Sequence, residues 1–178
     1  GTVVILALST FIVKLASKIG KKELSMIGCF ISAASFILLF IIHTHNVLVW
    51  VGLIIVATIG TSMFNMVIWA MITDVIDESE VQTGVRQDGT IYSVYSFARK
   101  LGQACSSGLS GVLLSIIGYT SVTAFDPKVV DGIYNITCLV PAGGMILLLL
   151  ALWFLYPLNK KRVEENAEKL RIKRNENA

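Results

Sequence analysis

Long apolar runs broken only by short polar turns leave this chain few ways to fold. Spans are read at 2–16, 24–42, 47–73, 89–117 and 134–156. A membrane-crossing helix needs about 20 predominantly apolar residues at 1.5 Å each. With 54% of its residues hydrophobic and 15% charged, the chain reads as an all-α polytopic membrane protein with five transmembrane helices. The first run covers about 22 Å and looks clipped at its start. The third is long enough to tilt or to project beyond the membrane. A transmembrane bundle thus occupies 1–157 and a charged tail 158–178. The chain opens on Gly1 without the basic segment or cleavage site of a signal peptide, and the expectation is that it begins partway through a larger protein.

Lysine and arginine set the orientation. The compact basic turn Lys18-Ile19-Gly20-Lys21-Lys22, the connector holding Arg86 and the tail with Lys160, Lys161 and Arg162 fall on one side. The turn at His43-Thr44-His45-Asn46 and the loop 118–131, with Lys128 alone, fall on the other. The basic side is expected to be cytoplasmic, with the C-terminus inside. A net charge of +3 is too small and dispersed to point to nucleic acid. Cys29, Cys105 and Cys138 lie in three different apolar runs without a CxxC spacing, so they read as buried small apolar residues and not as a disulfide or metal framework.

Arg99 and Lys100 are the anomaly, because two adjacent cations inside a membrane helix are costly and mark a functional site by default. At about 100° per residue, Gly89, Ser93, Ser96, Lys100, Gln103, Ala104, Ser107 and Gly111 share a sector of about 100°. Such a small, polar face suits a bundle interior or a watery cavity. Lys100 sits about 15 Å into its span, near the midplane, the depth at which secondary transporters hold their solutes. The third span carries a second stripe, Thr58, Thr61, Ser62, Asn65 and Trp69. Two facing stripes imply a cavity, and an indole beside hydroxyl and amide groups suits a sugar.

Plainer readings stand beside these. Ser107, Gly108, Gly111 and Gly118 suit close helix packing. Arg99 suits a structural bridge to a carboxylate on another helix, and Trp69 an interfacial anchor. The hydroxyls can bond the carbonyls four residues back. The connector 74–88, with five acids around Arg86, is either a charged gate at a pore mouth or a solvated loop. The tail, with seven basic and four acidic residues, either lies on the inner leaflet as a weak amphipathic helix or frays. An enzyme acting on lipids within the membrane is an alternative from another class. Its best candidates, the Asp74 and Asp77 pair and the His43-Thr44-His45 turn, lack enough partners to hold a metal. A lysolipid transporter is a third possibility.

The run Asp74-Val75-Ile76-Asp77-Glu78, then Gly84-Val85-Arg86-Gln87-Asp88-Gly89, Tyr92-Ser93, Ser96-Phe97-Ala98-Arg99-Lys100-Leu101-Gly102-Gln103-Ala104 and Ile117-Gly118-Tyr119, resembles the glycoside-pentoside-hexuronide:cation symporters of the major facilitator superfamily. The basic turn with Lys18, Gly20, Lys21 and Lys22 is similar to the one that superfamily places between the second and third helices of each half. The resemblance covers nearly the whole chain and implies helices eight to twelve of a twelve-helix fold. It implies that Lys100 holds the position of a helix-eleven lysine tied to cation coupling and the sugar site. It also implies that Asp74, Asp77 and Arg86 lock the two halves together on the cytoplasmic side. The Ser-Phe-x-Arg-Lys-x-Gly-Gln-Ala pattern looks most like the branch that includes glucuronide transporters. Melibiose-type members carry a tryptophan where Asn65 stands, so an aromatic contact would move to Trp69. Implied with the family are a sugar substrate, a surrounding bacterial inner membrane and no cofactor. The coupling Na⁺ or H⁺ would be bound mainly by carboxylates of an N-terminal half outside this chain. The expected function is alternating-access symport of a glycoside, pentoside or hexuronide, with glucuronide or xyloside foremost.

Overall fold

The computed structural model describes residues 12–44 and 46–176; the expected span over 2–11 and His45 lie outside the described residues. Every regular element among the described residues is an α-helix: α1 over 12–19, α2 (Lys21–Ile42), α3 (Val47–Thr83), α4 (Asp88–Ile116), α5 (Pro127–Phe154) and α6 (Lys160–Glu176). Helices α2, α3 and α5 are long and apolar enough to cross a membrane. The expected fourth span, α4, has 29 residues, ample length. Its glycines, serines and paired cations leave it less apolar, and it does not join those three.

Several boundaries differ from expectation for local reasons. The basic turn narrows to one residue. Gly20 has φ 118, a backbone conformation that only glycine adopts at little cost, and Lys18 and Lys21 are already helical on either side. The acidic stretch after Thr73 is not a connector but three further turns of α3, which runs unbroken for 37 residues, about 55 Å. That exceeds the hydrocarbon thickness of about 30 Å, so the part beyond Thr73 projects. Nothing in 74–83 breaks a helix. Gly84 does, at φ 77, its N–H closing on the Glu80 carbonyl in an αL cap. Helix α5 starts at Pro127, seven residues before the expected Tyr134, because proline suits the first helical turn. It stops at Phe154, just short of Pro157.

The core gathers Ile12, Leu24, Cys29, Val67, Met71 and Leu152 from α1, α2, α3 and α5. Helix α2 is central, packed against both α3 and α5. Its crossing with α3 rests on two glycines: a Cβ on Gly28 would stand 2.5 Å from the Gly60 carbonyl oxygen, and one on Gly60 2.5 Å from that of Gly28. Beside them the Ser32 and Thr61 hydroxyls share a 3.0 Å hydrogen bond. By contrast, a Cβ on Gly108 or Gly111 of α4 meets nothing within 4 Å; the close packing expected there occurs at Gly28 and Gly60. None of α4's residues is buried. Cys29 and Cys138 are buried as expected, whereas Cys105, on α4, is exposed.

The turn at Gly20, the connector at Arg86 and the tail gather at one end of the bundle. Lys160 Nζ donates to the Lys18 carbonyl at 2.9 Å and Lys22 Nζ to that of Tyr156 at 2.6 Å. At the opposite end His43 Nε2 meets Asp131 at 2.8 Å and Tyr134 Oη donates to the Leu39 carbonyl at 2.8 Å. Of the two readings of the tail, the helical one holds. The tail forms α6, whose Asn166 and Leu170 are buried against the projecting end of α3. The socket is Glu78, which accepts from Arg162 Nε at 3.2 Å, from the Arg162 terminal nitrogen, from Asn166 at 2.5 Å and from Gln82 at 2.6 Å. The Arg162 bonds, foremost, hold its carboxyl down at about 2.

Two outcomes follow from this packing. Gly60→Ala forces a methyl onto the α2 backbone and lowers the stability of the detergent-solubilised protein by about 1–3 kcal/mol. Gly52→Ala, at a position with nothing within 4 Å, leaves the thermal midpoint in place. The Glu78 socket is sensitive to acid with a defined sign. A carboxylate whose folded pKa is depressed stabilises fully above its ordinary value of 4.5 and loses that contribution as pH falls toward about 2. Spin labels at Val81 and Lys169 should therefore report one short distance from pH 7 to about 4.5 and a broadened one by pH 2. In Glu78→Gln the broadening should already be present at pH 7.

Candidate functional site

Helices α3 and α4 diverge from the short connector at Gly84 and meet again through aromatic side chains. On α3, Asn65 and Trp69 are one turn apart and point away from α2, because Val67, set about 200° from each, is buried in the core. On α4, Tyr92, Tyr95 and Arg99 recur at i, i+3 and i+7 and form the face turned to α3. The Trp69 ring stacks near Tyr92, with centroids 6.3 Å apart, and meets Tyr95 edge-on at 5.4 Å and 73°. The Arg99 guanidinium carbon stands 5.8 Å from the Trp69 ring centroid, within cation–π range. Together with Phe64, Ile68 and Ala98, residues 65, 69, 95 and 99 line an open hollow of about 520 Å³. Its lining includes one cation and no acid.

Of the six residues expected to contact substrate or cation, three come together here: Asn65, Trp69 and Arg99. Ser96, Lys100 and Gln103 do not line the hollow. All three are exposed on α4, on the polar sector that adjoins the face turned to α3. Among the described residues no carboxylate pairs with Lys100 or with Arg99. The remaining members of the two polar stripes satisfy themselves locally. Thr58 and Ser62 bond the carbonyls four residues back at 2.8 Å. Ser93 and Ser107 do likewise on α4, and Thr61 turns to α2. Two facing polar stripes do not form. A mixed aromatic and cationic contact stands in their place, and the i, i+3, i+7 spacing of Tyr92, Tyr95 and Arg99 was its signal in the sequence.

The expected gate residues divide into two ion-pair groups at the charged end. Arg86 bonds Asp77 at 3.0 Å, Glu80 at 2.9 Å and Asp88 at 2.8 Å, and these carboxylates hold its guanidinium firmly protonated. Glu80 is also approached by Arg174 of α6 at 3.6 Å, and Lys173 donates to the Gly84 carbonyl at 3.2 Å. Asp74 belongs elsewhere. It is 5% exposed and pairs with Lys21 of the basic turn at 2.6 Å, while its second oxygen, Oδ2, is buried without a hydrogen-bond partner among the described residues. Lys18 and Lys22 contribute to the same end through the carbonyl contacts with Lys160 and Tyr156 given above. Glu78, Glu80 and Asp88 were expected only as members of the acidic cluster around Arg86, and Arg162 only as a topology signal; their individual pairings were not anticipated. These residues lie in stretches whose helical continuation was not read from the sequence.

Comparison with known proteins finds relatives named as transporters. The chain is 34% identical over 151 residues to the glucuronide carrier protein homolog of Escherichia coli strain K12. It is 38% identical over 152 residues to the uncharacterized symporter YjmB of Bacillus subtilis strain 168, and 33% identical over 156 residues to a putative sulfoquinovose importer of Salmonella typhimurium. Each alignment takes in 85% of this chain and 33% of the relative, so the chain spans about a third of the length of these curated relatives. By name they are carriers, symporters and importers, not enzymes, and their match together with the apolar helices makes this a multi-pass membrane protein. Residues 1–160 match the family model described as MFS/sugar transport protein, and the chain belongs to that family.

Proposed function

We propose that this chain forms the last five helices, eight to twelve, of a twelve-helix sugar symporter, and that the whole protein moves a glycoside, pentoside or hexuronide together with Na⁺ or H⁺. Glucuronide and xyloside are the foremost substrates. The observation that carries the sugar reading is the hollow between α3 and α4. A pyranose has an apolar face that stacks on an aromatic ring and a rim of hydroxyls that need hydrogen bonds; Trp69 and Tyr95 offer the first, Asn65 and Arg99 the second. The names of the relatives, a glucuronide carrier homolog and a sulfoquinovose importer, support the same substrate class.

Five spans and a cytoplasmic C-terminus in a bacterial inner membrane agree with the charge distribution. The basic turn, the Arg86 connector and α6 share one end of the bundle, as the positive-inside rule requires if that end is cytoplasmic. Helix α4 has no buried residue, and its polar face lies beside the one turned to α3. In the proposed protein the polar face, with Lys100, Ser96 and Gln103, lines the central path opposite the N-terminal half. The two halves would rock about a midplane site, with the Arg86 cluster and the Lys21–Asp74 pair remaking their contacts at the cytoplasmic mouth as it opens and closes. Cation binding to N-terminal carboxylates would favour sugar binding by linkage, with Lys100 responding to their charge.

Lys100→Ala in the full-length carrier should abolish sugar accumulation against a gradient while leaving the amount of protein in the membrane unchanged. Accumulation equal to that of the unmodified carrier would remove Lys100 from the coupling mechanism.

A further inference from the structure

The cations of this chain are treated unequally. Lys21 has Asp74, Arg86 has three carboxylates, and Arg162 has Glu78. Arg99 is different: its recorded neighbour is a ring, the indole of Trp69, and among the described residues no acid pairs with it. It nonetheless lies in the hollow, where it is the single charged lining residue. Lys100, about 100° further round α4, is absent from that lining. Among the described residues, the charge that lines the α3–α4 hollow is therefore that of Arg99.

We propose that Arg99, seated against Trp69, is the residue by which this site selects sugars carrying an anionic group over their neutral counterparts. The inference rests on the sugar-transport reading above and adds to it the identity of the selecting group. An arginine resting on an aromatic face engages that face through its π-surface and weakly hydrated plane, leaving its N–H edge for a second partner. That edge carries a fork of donors matching the two oxygens of a carboxylate or sulfonate. Trp69 and Tyr95, meeting edge-on, give the sugar ring a wall to stack on, and Asn65 supplies an amide for a hydroxyl. Arg99 would then hold the anionic substituent at the far end of the same ring. A neutral sugar placed there leaves the guanidinium unmatched, and a site built around a polar partner discriminates strongly against ligands lacking it. The Trp69 contact also restrains Arg99 before substrate arrives, which lowers the ordering cost of binding.

The test uses the full-length carrier in membrane vesicles and three glycosides with one aglycone: a hexuronide, its 6-sulfonated analogue and the neutral glucoside. The unmodified carrier should take up at least one anionic member with a KM at least about tenfold below that of the neutral one. Arg99→Gln should raise the KM for that anionic sugar by about 10- to 100-fold, the effect of one charge-assisted bidentate contact. The KM for the neutral sugar should rise less, by about two- to fivefold for the loss of one hydrogen bond to a hydroxyl, so that the preference for the anionic sugar collapses. Whichever anionic member loses affinity identifies carboxylate or sulfonate as the group read. Arg99→Lys, which keeps the charge but not the fork, should raise the same KM several-fold, and it decides the matter if the glutamine variant does not reach the membrane. Equal loss for anionic and neutral sugars in either variant, or loss confined to the maximal rate, would make Arg99 a structural bridge and overturn the proposal. So would an unmodified carrier that does not discriminate. Uptake of the corresponding xyloside alone would overturn the proposal and leave the sugar-transport reading standing, whereas failure to move that xyloside and all three probes would overturn the sugar-transport reading itself.

Discussion

Two glycines let α2 and α3 approach until each backbone carbonyl occupies the space of the other's missing side chain. Much else depends on that approach. It lets the Ser32 and Thr61 hydroxyls satisfy one another between the helices, and it presses Val67 and Met71 of α3 onto Leu24 and Cys29 of α2. With that face of α3 committed to the core, the opposite face must look outward, and Asn65 and Trp69 are on it. The position of the candidate site is thus fixed from behind, by packing that touches no substrate. In a membrane, where apolar burial between helices gains little over lipid, such small-residue contacts supply much of the specificity of assembly.

The charged end of the bundle obeys a different economy. Beyond Thr73 the chain has left its apolar run, and carboxylates stand on nearly every turn of α3. Each finds a specific cation: Asp74 takes Lys21, Asp77 and Glu80 take Arg86, and Glu78 takes Arg162. Exposed pairs of this kind contribute little singly. Networks with shared members count for more, and Glu80 is shared between the α3–α4 connector and α6. The tail is therefore tied to the same residues that set where α3 ends and α4 begins.

Much of this was legible in the sequence, and the failures have physical causes. Apolar length alone located α2, α3 and α5, because lipid-facing helices need little else. It erred where helix continues through polar residues: the acidic turns of α3 and the start of α5 at Pro127 are helical for reasons of capping, which a hydropathy reading does not see, while docking on α3 favours the helical one of the two readings left open for the tail. Within the site, projection onto a helical wheel correctly grouped the small, polar residues of α4 around Lys100. It did not say which face a neighbouring helix would meet. That face proved to be Tyr92, Tyr95 and Arg99, and the two tyrosines were passed over because aromatic residues in an apolar run look like lipid contacts. Asn65, Trp69 and Arg99 were each noticed as odd, but only the coordinates put them around one hollow. Cys105 failed for a related reason, since being in an apolar run says nothing about having a neighbour.

The unbroken course of α3 has a mechanical meaning. One continuous rod carries Trp69 in its apolar part and Glu78 and Glu80 on its overhang, with no hinge between them. A tilt of the rod at Trp69 would be carried, as by a lever arm, to the Arg86 cluster and to the C-terminal helix strapped across its tip. The aromatic wall of the hollow and the charges at the end of the bundle thus share one helix, and a rigid tilt would move both without any change of dihedral angle within α3.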